Sequence, residues 1–214
     1  MGLNFSNLKK YFTNLFYLRR VHSALGAIPV TLFVVEHMIS NSFAVFGQAF
    51  YDLHVKRLTS LPYLEVIEIL GIGAPIFLHA ALGVYISYTA KYNAHHYRYP
   101  RNWMYVLQRV SGILLVFYIS FHIWTTRLQG AFQHRFIGFQ HMREQLSNPL
   151  ILVFYVLGVT SAMFHFSNGL WGFCVSWGIT VTPKAQRRAG WIFYSIGLVL
   201  YVMALSGLFS FRQI

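Results

Sequence analysis

A single cysteine, Cys174, sits inside an apolar run of this 214-residue chain. One thiol cannot close an internal disulfide or hold an iron–sulfur cluster, which takes several cysteines. Acidic residues are scarce too, with five Asp and Glu against 17 Lys and Arg. Charged residues of both signs make up 10% of the chain, where a water-soluble domain carries about 25%. So little charge cannot cover a surface that faces water. No glycine-rich fingerprint lies between a strand and a helix. Any flavin or iron–sulfur chemistry must therefore reside on another polypeptide. The net charge of +12 falls in short clusters between apolar runs. That is the pattern of topology signals and of lipid or partner contacts, so no nucleic acid is expected.

What the chain has in abundance is apolar length, 56% hydrophobic and 18% aromatic residues. A membrane-spanning helix needs about 20 apolar residues. Five such runs occur, at approximately 21–46, 64–90, 104–126, 149–177 and 189–211. The chain reads as one membrane domain, an all-α integral membrane protein. Lys9, Lys10, Arg19 and Arg20 precede a first run of about 25 residues, longer than the roughly 7–15 of a signal-peptide core. That run reads as a retained span. Lysines and arginines divide 11 against 6 between the two sides, which puts the N-terminus in the cytoplasm and the C-terminus outside. Tyr97, Tyr99 and Trp103 supply an interfacial belt before the third span.

Four of the ten histidines lie deep in apolar sequence, one in each of the first four spans: His37, His79, His122 and His165. Depth sorts them. At about 1.5 Å per residue, His37 and His122 lie about 24 and 27 Å along outward-running helices. His79 and His165 lie about 22 and 24 Å along inward-running ones. The set therefore forms an outer level from the first and third spans and an inner level from the second and fourth. Two facing neutral imidazoles in an apolar bundle suit the two axial positions of a haem iron. The second ring nitrogen should then donate to a carbonyl or hydroxyl. Gly83 and Gly169 follow the inner histidines by one turn, on the same helical faces. Gly26 and Gly158 lie whole turns from His37 and His165 and face the other level, where a flat porphyrin could approach the backbone. Histidines that only hydrogen-bond between helices remain an alternative. So does a zinc or copper site, although each level has only two ligands.

At these residues the chain resembles a known family. The resemblance is carried by Phe16-Tyr17-Leu18-Arg19-Arg20-Val21-His22-Ser23, by Arg101-Asn102-Trp103-Met104 and by Leu107-Gln108-Arg109-Val110-Ser111-Gly112. It continues in Phe164-His165-Phe166-Ser167-Asn168-Gly169-Leu170-Trp171 and Trp177-Gly178-Ile179-Thr180-Val181-Thr182-Pro183. These segments resemble the five-span, two-haem cytochrome b subunits of bacterial succinate dehydrogenase and fumarate reductase, of the menaquinone-using type. The resemblance implies four helices bundled around two stacked b haems in the bacterial cytoplasmic membrane. It implies partner flavoprotein and iron–sulfur subunits, with the succinate site on a partner. Electrons would pass from the iron–sulfur protein to the inner haem, the outer haem and a quinone, expected to be menaquinone. The family's axial ligands match His37, His79, His122 and His165. A two-haem cytochrome b serving a hydrogenase or formate dehydrogenase is the nearest alternative, and a non-redox transporter with buried histidines is another.

Haem propionates are anionic and favour the membrane surface. Arg19, Arg20, His22 and Arg109 are candidates to bind them at the inner end, and Arg127 at the outer end. Acids in or near the membrane are candidates for proton exchange. Glu36 neighbours the outer ligand His37, and Glu65 and Glu68 open the second span. Glu36 and Glu68 are the candidates for the proton path of a quinone reacting near the outer level. His54, His95, His96, His134 and His141 read as solvated or partner-facing loop residues, and 129–147 as an external loop.

Overall fold

The structure is a computed structural model that describes residues 14–212. Lys9 and Lys10 of the inner basic cluster lie outside them. Five helices are long and apolar enough to cross a membrane: α1 (Leu15–Phe46), α3 (Leu64–Tyr88), α4 (Pro100–Gln133), α6 (Pro149–Ser176) and α7 (Pro183–Ser210). Two shorter helices, α2 (Gln48–Thr59) and α5 (Phe139–Ser147), lie between them. No strand occurs among the described residues.

The helix starts follow from local chemistry. Pro100, Pro149 and Pro183 each occupy the first helical position, where no amide is needed. The side chains of Asn14, Asn148 and Thr182 accept from the amides of Phe16, Leu150 and Ala185, capping α1, α6 and α7. The third span is longer than its apolar run. α4 continues to Gln133 because Gln129 and Gln133 end the apolar stretch without ending the helix.

Three of the spans contain a wider π-turn: Gly26–Val30 in α1, Ile67–Gly73 in α3 and Trp124–Leu128 in α4. In α1 the turn surrounds Pro29, which has no amide to donate. The Thr31 amide and hydroxyl both reach the Gly26 carbonyl and close the turn.

The spans α1, α3, α4 and α6 form a ring in which each packs on the next, and α7 fills the groove between α6 and α1. Val159, Met163, Leu200 and Ala204 bury the α6–α7 seam, with Val34, Val35 and Met38 of α1 packed against it. α7 comes close enough that a Cβ on Gly207 would stand 2.5 Å from the Asn41 carbonyl oxygen of α1.

The segment expected as an external loop is instead the best-buried part of one end. Phe139, Met142 and Leu146 of α5 join Ala44, Tyr51, Tyr155, Leu208 and Phe211 in one cluster. The Phe139 amide donates to Asp52, which ties α5 to α2. Tyr51 donates to Asn41 at 3.2 Å, and burial pushes its phenol well above the ordinary range. This cap lies over the end of the bundle that carries His37 and His122.

Candidate functional site

The ring of helices brings His37 against His122 and His79 against His165. Their ring centres are 5.7 and 6.1 Å apart, and the planes cross at 78° and 87°. A metal–imidazole nitrogen bond is about 2 Å, so two imidazoles on opposite sides of one metal ion stand roughly 6 Å apart, centre to centre. Among the described residues no three His, Cys, Asp or Glu side chains converge on one point. The arrangement sets two opposed imidazoles at each level.

Three of the four rings have Nδ1 engaged. His79 Nδ1 donates to the His22 carbonyl at 2.8 Å. His165 Nδ1 lies 3.1 Å from the Gln108 carbonyl and 3.2 Å from the Ser111 hydroxyl. His122 Nδ1 lies 3.2 Å from the Tyr155 hydroxyl. These bonds hold each ring by Nδ1, so a metal ion held by these rings would meet Nε2. His37 differs. Its carbonyl accepts from the Asn41 amide at 2.8 Å, while its ring nitrogens lie 3.3 and 3.4 Å from that same amide.

The glycines are filled by side chains of the protein itself. A Cβ on Gly26 would stand 2.5 Å from His79 Cε1, and one on Gly83 would stand 3.0 Å from His22 Cε1. Gly158 receives the Tyr118 ring, which in turn stacks on His122. Gly169 receives the Gln108 amide. Gly112, not singled out from sequence, receives the ring of His165 at 3.0 Å.

His22 does not stand apart at the inner rim. Its ring stacks on His79 with centres 3.9 Å apart and planes 16° apart. Arg20 lies over the Phe16 and Trp177 rings and donates to the Ser176 carbonyl. Arg109 lies over Tyr105 and donates to its carbonyl. Among the described residues, the buried Nε of each arginine has no hydrogen-bond acceptor. Two orphaned cationic donors at this end fit an anionic group. Arg19 is exposed at the same end.

At the outer end, Arg127 and Glu68 are turned towards each other. Arg127 Nε lies 3.0 and 2.9 Å from the two carboxylate oxygens, and Nη2 lies 2.6 Å from one of them. The pair joins the π-turns of α3 and α4. Glu36 is engaged differently. The Ser40 hydroxyl donates to it, and His54 Nε2 of α2 donates to Ser40 at 2.9 Å.

Two histidines expected in solvated loops are therefore structural. His54 also packs edge-on against Phe43, and His141 Nε2 donates to the Thr125 carbonyl. Each lies on a short helix, His54 on α2 and His141 on α5. Between α4 and α5 an open depression of about 360 Å³ is lined by residues that include Phe121, Thr125, His141, Glu144, Gln145 and Ile151. Gln145 donates to Thr125, and its buried carbonyl oxygen has no donor among the described residues. Hydrogen bonds from Gln140 and Arg135 hold the exposed Glu144 carboxyl below the usual carboxylate range.

One sequence regularity becomes visible only against this geometry. His22, Gly26, His79 and Gly83 each recur 86 positions later as Gln108, Gly112, His165 and Gly169. α1 and α3 thus repeat as α4 and α6 around the inner level. The outer histidines break the offset by one residue. From His22 to His37 α1 takes 15 steps, and from Gln108 to His122 α4 takes 14. A π-turn inserts one residue into an α-helix. The turn at Gly26–Val30 absorbs the extra step, so both pairs stay in register.

Comparison with known proteins agrees with this architecture. Residues 87–204 match the family described as succinate dehydrogenase/fumarate reductase transmembrane subunit. The chain is 45% identical over 196 residues to the succinate dehydrogenase cytochrome b558 subunit of Bacillus subtilis (strain 168), covering 92% of this chain and 96% of that protein. It is 29% identical over 83 residues to the succinate dehydrogenase hydrophobic membrane anchor subunit of Thermoplasma acidophilum, covering 39% of this chain and 64% of that one.

Proposed function

The chain belongs to the succinate dehydrogenase/fumarate reductase transmembrane subunit family, and from that premise we propose that it is a di-haem cytochrome b that links the enzyme's soluble subunits to a quinone. The observation that carries this reading is the two imidazole pairs, opposed at 5.7 and 6.1 Å. His37 and His122 would hold an outer haem, and His79 and His165 an inner one. Haem iron exchanges single electrons, which suits a subunit placed between one-electron iron–sulfur centres and a two-electron quinone. The unpartnered Nε atoms of Arg20 and Arg109 support propionate binding at the inner end, with Arg19 beside them. Arg127, held by Glu68, is the outer candidate.

In this reading the first helix starts on the cytoplasmic side of a bacterial membrane and the chain ends outside. The flavoprotein and iron–sulfur subunits dock on the residues before Val21, on 91–103 and on 181–188. The quinone, expected to be menaquinone, reacts near the outer level, with Glu36 or Glu68 in its proton path. Glu36 has a hydrogen-bonded connection through Ser40 to His54, whereas Glu68 is tied to Arg127.

Purifying the complex with its subunits tests the reading. Two b-type haems per chain should be found, with a flavoprotein and an iron–sulfur protein alongside. A complex with one haem, or with none, would overturn it. A second measurement concerns the quinone. Glu36→Gln or Glu68→Gln should lower quinone-linked turnover by about tenfold or more, with both haems retained. Full turnover in both variants would move the quinone away from the outer level.

A further inference from the structure

The inner level is built from two copies of one clamp. In the first copy His79 Nδ1 donates to the His22 carbonyl at 2.8 Å, and His22 Nδ1 donates back to the His79 carbonyl at 2.9 Å. In the second copy His165 Nδ1 donates to the Gln108 carbonyl at 3.1 Å, and Gln108 Nε2 donates back to the His165 carbonyl at 3.0 Å. Each clamp joins a helix pair, α1 to α3 and α4 to α6. In each, a glycine one turn after the clamp residue receives the imidazole: Gly26 under His79 and Gly112 under His165. Another glycine, one turn after the imidazole, makes room for the clamp side chain: Gly83 for His22 and Gly169 for Gln108. All four correspondences share the 86-residue offset. His22 therefore stands where Gln108 stands, and it makes the same two bonds.

We propose that His22 and Gln108 are equivalent positioning residues for the two inner imidazoles, and that His22 acts as a hydrogen-bonding clamp and not as an anion site or an iron ligand. The proposal rests on the haem reading above. The physical reason lies in what the two bonds do together. The carbonyl on Nδ1 selects the ring orientation and leaves Nε2 for the iron. The return bond fixes the carbonyl of the ligand residue, so the two helices cannot slide past each other. Without it the ring keeps its partner but loses its height. The Gln108 clamp is extended further, since its side-chain oxygen accepts from Asn168, which accepts from Tyr194 of α7. Through that chain α7, which carries no histidine, steadies the inner level. Partners of a metal-binding histidine commonly change metal affinity by about 10–100-fold when they are lost.

The test compares His22→Leu, His22→Gln and Gln108→Leu in the assembled complex, by redox titration and low-temperature spectra of each haem component. His22→Leu and Gln108→Leu should shift the midpoint potential and the spectrum of the inner component and weaken its retention about tenfold or more. The outer component should be unmoved. His22→Gln keeps a donor at the same place and should stay close to the parent. An electrostatic role would make His22→Gln as damaging as His22→Leu, and that result would overturn the clamp. So would an unchanged inner component in His22→Leu. If His22→Leu does not assemble, His22→Gln decides alone: a parent-like inner component supports the proposal, and failure to assemble rejects it. A parent complex without haem would remove the reading beneath the proposal, and the proposal with it. A parent with two haems and insensitive His22 variants would remove the proposal only.

Discussion

Leucine in place of His79 or His165 should abolish one and the same haem component, and leucine in place of His37 or His122 should abolish the other. The expectation follows from distance and from helix identity together. Each pair faces across the bundle, at 6.1 Å for His79 and His165 and at 5.7 Å for His37 and His122. Leucine fills much of the same volume, so packing should survive while the coordinating nitrogen is lost. In His165→Leu the carbonyl of Gln108 and the hydroxyl of Ser111 also lose the ring they hold. Quinone-linked turnover should fall by about a hundredfold or more, at or above the upper end of what losing a histidine's hydrogen-bond partner costs. Oxidised-minus-reduced spectra with a redox titration read the outcome. The decisive comparison is His37→Leu with His79→Leu. If both remove the same component, the two levels are wrongly composed.

The nearness of those pairs can be read from the sequence because two simple quantities fix it. Hydropathy locates the spans, and a rise of about 1.5 Å per residue converts position into depth. Helix direction alternates from span to span, so equal depth along each helix separates alternate spans into two levels. The clamps could not be read in this way. They end on the carbonyls of His22, His79, Gln108 and His165, and every residue has a carbonyl. Only the 86-residue recurrence betrays them, and the glutamine standing in for a histidine conceals it. A π-turn hides the rest, because its one inserted residue puts His37 out of step with His122 in sequence but not in space.

The outer cap was hidden for a different reason. Phe139, Met142 and Leu146 are apolar positions on a helix of nine residues, and Gln140, His141, Arg143, Glu144 and Gln145 separate them. Such a segment is too polar to read as a span and too short to show a clear helical period. Its order comes from tertiary burial. Side chains of α2 and α6 and of the ends of α1 and α7 complete the cluster. The pairing of Arg127 with Glu68 is illegible in the sequence for the same reason. Nothing in the sequence shows that residues 59 apart meet in an ion pair.

Alanine at Gly26 or Gly112 should displace the inner haem component, while alanine at Gly172 should leave both components intact. All three glycines lie in spans, and on helical propensity alone each change should stabilise its helix by about 0.8–1.0 kcal/mol. Position decides otherwise. A Cβ at Gly26 would stand 2.5 Å from His79 Cε1 and 2.9 Å from its Nδ1. The ring cannot simply turn aside, because Nδ1 is bonded to the His22 carbonyl at 2.8 Å and the imidazole is stacked against the His22 ring. A methyl group there has to push α1 away from α3 or tilt the imidazole. Overpacking of this kind costs about 1–3 kcal/mol, more than the gain in propensity. At Gly112 the added atom would meet His165 Cε1 at 3.0 Å, a milder conflict. Gly112→Ala should therefore shift the inner component where Gly26→Ala removes most of it, and leucine at either position should abolish it. At Gly172 an added Cβ meets no atom of the described residues within 4 Å, so the gain in propensity is unopposed. Haem content per chain and the thermal stability of the detergent-solubilised complex separate the cases. Equal tolerance of alanine at positions 26 and 172 would show that the glycine under the imidazole serves general helix packing and does not set the height of the inner ring.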